Sequence, residues 1–432
     1  MQTLPTTLPD WLALLESRHA ETHIDMGLER VRTVKERMDL KFSCPVIMVA
    51  GTNGKGSTCA MLESMLLHAG YRVGLYIKPH FLQFNERARL NGENASDEVL
   101  VDAFNAVEAA RGDVPLTYFE FTTLAIMHLL SKSEIDVAIL EVGLGGRLDA
   151  VNVIDADVSI VTSIDIDHKE YLGETREEIG FEKAGIFRPG KTAICSDPMP
   201  PASLVDHAAA IGADLWLIGR DFNYQGDKQQ WSYGGRSVRR NSLAYPALRG
   251  ANQLLNASAA LAALEALRMT LPAGAQEVRA GLALVELPGR FQVLPGRPAI
   301  IYDVAHNPHA AATLAQNLGN MGYHPFTYAV FGIMQDKDID AVIAPLADIV
   351  DHWCVADLQS PRSAKATELA QKLQALRPAG AGEDEFSATA FANPAEAFAN
   401  ALSRAGESDR IVVFGSFYTV AGVMAARKNS LH

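Results

Sequence analysis

The chain has 432 residues, with 38 Lys and Arg against 51 Asp and Glu, a formal net charge of −13. Its 48% hydrophobic and 21% charged residues supply enough apolar material for packed cores, which excludes disorder as a description of the whole. The length implies two or three domains. The acid excess speaks against nucleic acid as a partner, which would call for a basic footprint. It leaves small anionic substrates open, because the local field outweighs net charge at a binding site.

In chain order, the first 43 residues read as helix, loop, helix. Their Pro and Asp stand where a signal peptide needs an unbroken apolar run, and no run in the chain approaches the roughly 20 apolar residues that cross a bilayer, so no membrane partner is expected. Residues 45–50 (PVIMVA) read as a buried strand, followed by a Gly- and Lys-bearing turn and a helix from Ser57 to Ala69 that Gly70 ends. The strand YRVGLY completes a βαβ unit. Further apolar strands fall at 135–140 (IDVAIL) and 158–163 (VSIVTS). From 213 to 245, short runs with turn signals, Gly234-Gly235 among them, indicate a small antiparallel excursion, and an Ala-rich helix follows over 254–268. Residues 288–298 (PGRFQVLPGRP) hold three prolines and two glycines and read as a linker. Beyond it the alternation restarts, with strands at 299–303, 327–332, 352–355 and 410–414, a helix after Pro308, one near 338–348, and one at the end. The expected fold class is α/β. A first domain over 1–288 has a mainly parallel central sheet, 289–298 link, and a smaller Rossmann-like α/β domain spans 299–432. Cys44, Cys59, Cys195 and Cys354 stand far apart with no CxxC pair. Neither a zinc framework nor a disulfide scaffold is signalled, and a reducing compartment, the cytoplasm, is expected.

The stretch Val49-Ala50-Gly51-Thr52-Asn53-Gly54-Lys55-Gly56-Ser57-Thr58 lies between the first strand and its helix. Glycines let a backbone curl so that its N–H groups point at phosphate oxygens, and the helix N-terminus adds partial positive charge. In that frame Thr52 to Thr58 wrap the phosphates of a nucleotide, Lys55 reaches the β and γ phosphates, and the Ser57 hydroxyl suits Mg²⁺. Gly56, between lysine and hydroxyl, departs from the general spacing. The four residues GKGS alone would fit any tight turn, but the flanking strand and helix favour a nucleotide. A nucleotide-bound metal needs acids, which in open α/β sheets stand at the carboxyl ends of neighbouring strands. Glu141 follows IDVAIL, and Asp165, Asp167 and His168 follow VSIVTS. Oxygen donors suit Mg²⁺, and a histidine donor favours tolerance of Mn²⁺.

Six stretches in order, AGTNGKGS, LEVGLGGRLDA, TSIDIDHKEYLG, EKAGI, PGRF and DVAHNPHA, resemble the Mur ligase family in its dihydrofolate synthase/folylpolyglutamate synthase branch. The resemblance runs from about residue 20 to the closing GSFYTVAGVM. Fifty residues precede Gly51, too few for the sugar-nucleotide domain that the peptidoglycan branch carries there. The resemblance implies a cytoplasmic, monomeric ligase. A carboxylate of dihydropteroate or of a reduced folate attacks the γ-phosphate of ATP. L-glutamate's amine then attacks the acyl phosphate, and phosphate leaves. Such chemistry wants cations around the transferring phosphoryl group and two carriers brought together.

Residue by residue, the resemblance implies Ser57, Glu141, His168 and Lys183 as metal ligands, with Lys183 (in Glu182-Lys183-Ala184-Gly185) as a carbamate. A lysine with its ordinary pKa of roughly 10.4 must first become neutral to take up CO₂. Asn256, Arg290 and Asp303 match nucleotide-contacting positions, Asp303 toward a ribose hydroxyl. His306 matches a glutamate-positioning role, against the alternative of packing at a helix entry. Lys55, Lys183 and His306 make up the implied catalytic set. Pterin binding is expected from Ile24 to Arg30, from Thr117, Tyr118, Phe119 and Glu120, and from Leu148, Asp149 and Ala150. A flat ring with a donor-rich edge takes an aromatic stack and a carboxylate acceptor, which Asp25, Phe119, Glu120 and Asp149 supply. Glutamate recognition is expected from Arg362, as a bidentate carboxylate clamp, and from Ser416.

One position departs from the family pattern. Tyr76-Ile77-Lys78-Pro79-His80-Phe81 puts Lys78 where the family usually has a serine that helps hold metal. A hydroxyl ligates Mg²⁺ and an ammonium cannot. Lys78 then stands in for one cation and touches phosphate, or points away while water completes the metal's shell, or leaves that metal site impaired. Three readings follow: the bifunctional ligase, a ligase of folates alone, and a catalytically degenerate nucleotide- or folate-binding protein. Lys78 favours the last, and intact Lys55, Glu141, His168 and Lys183 oppose it.

Overall fold

The computed structural model describes residues 4–19, 25–227, 229–376, 382 and 385–430. The chain divides into two compact units, Met1–Ala247 with Gln253–Val285, and Leu248–Asn252 with Glu286–His432.

The first unit is built on β1 (Val46–Ala50), β2 (Val73–Tyr76), β3 (Ala88–Leu90), β4 (Glu93–Asn94), β5 (Val137–Glu141), β6 (Val158–Val161), β7 (Thr192–Cys195) and β8 (Asp214–Leu217). They form one sheet in the order β4-β3-β2-β5-β1-β6-β7-β8. From β2 to β8 the neighbours are parallel, and β3 and β4 turn back antiparallel at one edge. VIMVA and VAILE are buried along their whole length, which is why they show no polar alternation. The register pairs Val49 with Glu141 and with Ile160, and Tyr76 with Leu140, so the carboxyl ends of β2, β5, β1 and β6 lie nearly level. The chain leaves β1 toward β2 on one side and leaves β5 toward β6 on the other. That reversal is a switch point, where open sheets bind ligands.

The helix Lys55–His68 follows β1 and is buried through most of its length against the helices Gln253–Ala266 and Ala275–Leu284. A Cβ on Gly281 would stand 2.7 Å from the Met65 backbone nitrogen, so only hydrogen fits between these helices. Ser64 Oγ donates to Gly281 O at 2.8 Å across the same contact. The helix Leu8–Arg18 seats Trp11 against Phe104 and Phe121, with both centroid separations 5.9 Å. The antiparallel excursion exists as β9 (Asn223–Gly226), β10 (Gln230–Gly234) and β11 (Arg239–Ala244), in the order β11-β10-β9. It starts later than expected, because the DLWL stretch, with Leu215 and Trp216 buried, joins the parallel sheet as β8.

The second unit has one sheet of β12 (Gln292–Leu294), β13 (Ala299–Tyr302), β14 (Thr327–Phe331), β15 (His352–Ala356), β16 (Ser387–Phe391) and β17 (Arg410–Phe414), in the order β12-β13-β17-β14-β15-β16. β12 is antiparallel to β13 and the other pairs are parallel. Its core stacks Phe331 against Phe414 at 4.9 Å and against Trp353 at 5.7 Å. The linker expected over 289–298 is corrected here. The prolines bracket β12 rather than interrupt it, as an edge strand tolerates, and the unit takes over from Glu286. The helix expected near 338–348 is short, Ile339–Ile343 with a 3₁₀ turn Ala344–Leu346, because Pro345 has no N–H to continue it. The α/β class, with a mainly parallel central sheet and a second α/β unit, is as the sequence indicates. No helix among the described residues is long and apolar enough to cross a membrane.

Candidate active site

The phosphate loop is held in shape by its neighbours. Gly51 and Gly54 have φ of 148° and 87°, and a Cβ there would run into Thr162 Oγ1 and Asn256 Oδ1 respectively. Residues just past β6 brace the turn. Thr52 N–H donates to Ser163 O at 2.7 Å, Asn53 N–H to Ser163 Oγ at 3.0 Å, and Thr162 Oγ1 to Asn53 O at 2.6 Å. Thr52 Oγ1 donates to Asp165 O at 3.1 Å and accepts from Asp165 N–H at 3.0 Å. The Lys55 ammonium folds over its own loop, donating to Gly51 O at 2.8 Å and Thr52 O at 3.2 Å. Gly56, Ser57 and Thr58 are buried in the first helical turn. Asn256 packs on Gly54 and donates to Gln253 Oε1 at 3.1 Å.

Glu141 ends β5, buried, and accepts the Lys78 backbone N–H at 2.8 Å. His168 adopts a left-handed φ of 51°, with Nε2 3.8 Å from Asp167 Oδ2. Lys183 sits in the last turn of the helix Arg176–Ala184 and is 3% exposed. Burial pushes its ammonium down to about 7, the Lys55 charge acts the same way, and Asp167 and Glu182 oppose. The GLGGRLD loop is pinned to that helix. Arg147 N–H donates to Glu182 O at 2.8 Å, and its guanidinium pairs with the Glu182 carboxylate at 2.7 Å. Among the described residues no group of three or more His, Cys, Asp and Glu could hold a metal alone. Ser57, Glu141 and His168 carry a hydroxyl, a carboxylate and an imidazole, donor types that suit Mg²⁺ or Mn²⁺.

The third cluster holds the residues expected at the pterin. Glu120 was expected to accept from a ligand's edge. It is buried, accepts Thr117 N–H at 2.8 Å in a capping box that starts the helix Tyr118–Lys132, and takes Arg30 Nε at 3.1 Å. Asp149, expected in the same role, accepts from Gly143 N–H and Leu144 N–H at 2.9 Å each and from Val151 N–H at 3.0 Å. Both carboxylates shape the local backbone. Asp25 is about half exposed and pairs with Arg30 at 2.8 Å, whereas Ile24 lies outside the described residues. The Phe119 ring lies so close to Gly143 that a Cβ there would stand 2.8 Å from its Cζ. Tyr118 and Ala150 are buried and Leu148 is half-buried. Lys78 does not point away. Its Nζ is buried, over the Tyr76 ring at 4.0 Å and the Phe119 ring at 4.8 Å. Burial lowers its pKa to about 8, with Asp149 and Glu141 opposing.

In the second unit Asp303 follows β13. Its carboxylate accepts Phe291 N–H at 2.9 Å and Ala305 N–H at 2.8 Å, and burial raises its pKa to about 6 against the nearby Arg290 charge. The Arg290 guanidinium lies 5.0 Å from the Phe417 ring centroid. His306 Nδ1 stands 2.7 Å from Val304 O, so it carries the proton. Arg362 is at the surface, paired with Asp336 at 2.9 Å. Ser416 is buried, and its hydroxyl accepts Thr419 N–H at 3.0 Å at the start of the last helix. Sequence reasoning missed Thr162 and Ser163, whose signal was two hydroxyls at a strand end beside the loop. Arg30, within the segment expected at the pterin, links Asp25 to Glu120.

Residues 49–264 match the Mur ligase middle domain, and residues 289–417 match the Mur ligase glutamate ligase domain. The chain is 43% identical over 418 residues to the dihydrofolate synthase/folylpolyglutamate synthase of Escherichia coli K12, covering 96% of this chain and 94% of that one. To the protein of the same description from Haemophilus influenzae it is 38% identical, with 96% of each chain covered. Among solved structures it is similar to E. coli FolC in complex with DHPP and ADP, at 41% identity, 99% coverage of both chains and a TM-score of 0.91. It is also similar to a bifunctional folylpolyglutamate synthase/dihydrofolate synthase with Mn, AMPPNP and L-glutamate bound, at 42% identity, 98% coverage of both and a TM-score of 0.88. The chain therefore belongs to the Mur ligase family and, within it, to the dihydrofolate synthase/folylpolyglutamate synthase group of ATP-dependent glutamate ligases.

Proposed function

We propose that this chain joins L-glutamate both to dihydropteroate, making dihydrofolate, and to the γ-carboxylate of reduced folates, through an acyl phosphate. The observation that carries this reading is the braced phosphate loop, with Lys55 folded over it, on the same sheet edge as Glu141. The ligands of the related structures support it: DHPP with ADP in one, Mn, AMPPNP and L-glutamate in another.

The loop's backbone N–H groups and Lys55 take the β and γ phosphates, Lys55 exchanging the Gly51 and Thr52 carbonyls for phosphate oxygens. Ser57, Glu141, His168 and Lys183 would hold Mg²⁺ or Mn²⁺. Bound there, the metal would neutralise charge on the phosphoryl group. Lys183 serves as a carbamate. Its amine, neutral for about half the molecules near pH 7, takes up CO₂ and releases a proton, converting a cation that would repel metal into an anionic donor. The acceptor's flat ring packs on Phe119, lined by Thr117, Tyr118, Leu148 and Ala150, with Asp25 as the exposed carboxylate. Asp303 and Arg290 are the second unit's groups for nucleotide, and Arg362 and His306 those for glutamate. Four unbridged cysteines support a reducing, cytoplasmic setting. One chain carries candidates for every step, so the activity is assigned to a monomer.

The test is glutamate-dependent phosphate release from ATP, run in parallel with dihydropteroate and with a reduced folate, in Mg²⁺ and bicarbonate. Turnover with both acceptors is expected. Turnover with the folate alone reduces the chain to the second activity, and turnover with neither, while ATP still binds, overturns the reading.

A further inference from the structure

The end of β2 carries an ammonium that the mechanism above does not use. Lys78 Nζ is shielded from solvent and makes no hydrogen bond. It stands over the faces of Tyr76 and Phe119, at 4.0 and 4.8 Å from their centroids. Aromatic faces attract a cation, but they do not replace the hydrogen bonds that three ammonium protons lose on leaving water. The carboxylates whose charge reaches it are engaged with backbone. Asp149 takes the N–H groups of Gly143, Leu144 and Val151, and Glu141 takes the N–H of Lys78 itself. A buried cation so placed is completed by an anion that arrives with a ligand. Phe119, one of its two flanking rings, belongs to the segment assigned to the acceptor's flat ring, so ammonium and acceptor meet at one residue.

We propose that Lys78 binds the reacting carboxylate of the acceptor substrate, an inference that rests on the ligase reading. One carboxylate oxygen attacks the γ-phosphorus, a new P–O bond forms, and the bond to the β–γ bridging oxygen breaks to release ADP. The other oxygen stays with the Lys78 ammonium and becomes the carbonyl oxygen of the acyl phosphate. When the glutamate amine adds to that carbonyl, the same ammonium faces the oxygen on which negative charge develops. A serine in this position would offer neither a full charge nor the reach of a four-carbon stem.

The experiment measures dissociation constants in the presence of ADP for dihydropteroate and for its carboxamide, a neutral ligand of the same shape, on the wild-type chain, Lys78→Met and Lys78→Arg. Lys78→Met is expected to weaken dihydropteroate at least tenfold and the carboxamide less than twofold, with ADP affinity unchanged, and Lys78→Arg to retain most of the carboxylate affinity. Lys78→Ser gives the same comparison should the Met variant misfold. Equal weakening of both ligands, or of neither, makes Lys78 a packing residue and overturns the proposal. Loss of ADP affinity instead assigns the ammonium to the nucleotide and also overturns it. If the wild-type chain binds neither acceptor, the ligase reading fails before the role of Lys78 is reached.

Discussion

Two neighbouring stretches of one sheet edge are finished to different degrees. Past β1 and β6, the loop that grips phosphate is braced by Ser163, Thr162 and Asp165, and its lysine rests on the loop's own carbonyls. Past β2 and β5, an ammonium is buried against two rings without a hydrogen bond. The phosphate is the same in every round, and a loop arranged beforehand loses little entropy in gripping it. The acceptor changes, from dihydropteroate to folates of growing length. The ammonium there is assigned to the reacting carboxylate of dihydropteroate.

The largest expected effect lies at the braced end. Lys55→Ala removes the cation from the transferring phosphoryl group and should lower the rate of phosphate release roughly 100- to 1000-fold. Acceptor affinity should hardly change, and a matching loss there would show that the two ends are not separable. Next is Lys183. With its pKa lowered to about 7, the neutral amine falls from about nine-tenths of molecules at pH 8 to about one-tenth at pH 6. Less neutral amine means less carbamate, so the bicarbonate needed for half-maximal activity should rise as pH falls. Activity titrated with bicarbonate in CO₂-depleted buffer at pH 6, 7 and 8 checks this, and Lys183→Met should abolish the dependence together with the activity. Glu120→Gln should act mainly on stability. It weakens a capping box and the Arg30 pair at once, for a loss of about 1–3 kcal/mol in denaturant unfolding. The smallest effect is expected at Arg362→Ala. Its pair with Asp336 is about two-fifths exposed on both sides, so stability should move by no more than about 0.5 kcal/mol while KM for glutamate rises.

These differences track what a sequence makes visible. The phosphate loop was legible because its strand, glycines, lysine and helix are contiguous. Its bracing by Thr162 and Ser163 crosses about 110 residues and depends on β6 lying beside β1, which no local pattern states. Glu120 and Asp149, expected at the acceptor, also hold local backbone, which their residue type alone does not show. Thr117-Tyr118-Phe119-Glu120 has the spacing of a capping box, so the same four residues suit both a helix start and a ligand. Ser416 is a similar case, since a hydroxyl that suits a ligand also suits a helix start. The expected linker failed because Pro and Gly density marks turns without saying that three residues between them pair with β13. That Lys78 departs from the family residue was plain from the sequence. That its ammonium is buried against two rings required the fold.

The account's central claim is that the acceptor carboxylate is phosphorylated before glutamate is joined to it. The direct measurement uses dihydropteroate with both carboxylate oxygens labelled with ¹⁸O, incubated with ATP and L-glutamate, followed by mass spectrometry of the released phosphate and of the amide product. One label in phosphate and one in the amide carbonyl is the expected result. Unlabelled phosphate released together with amide product would contradict an acyl phosphate and, with it, the role given to this end of the sheet.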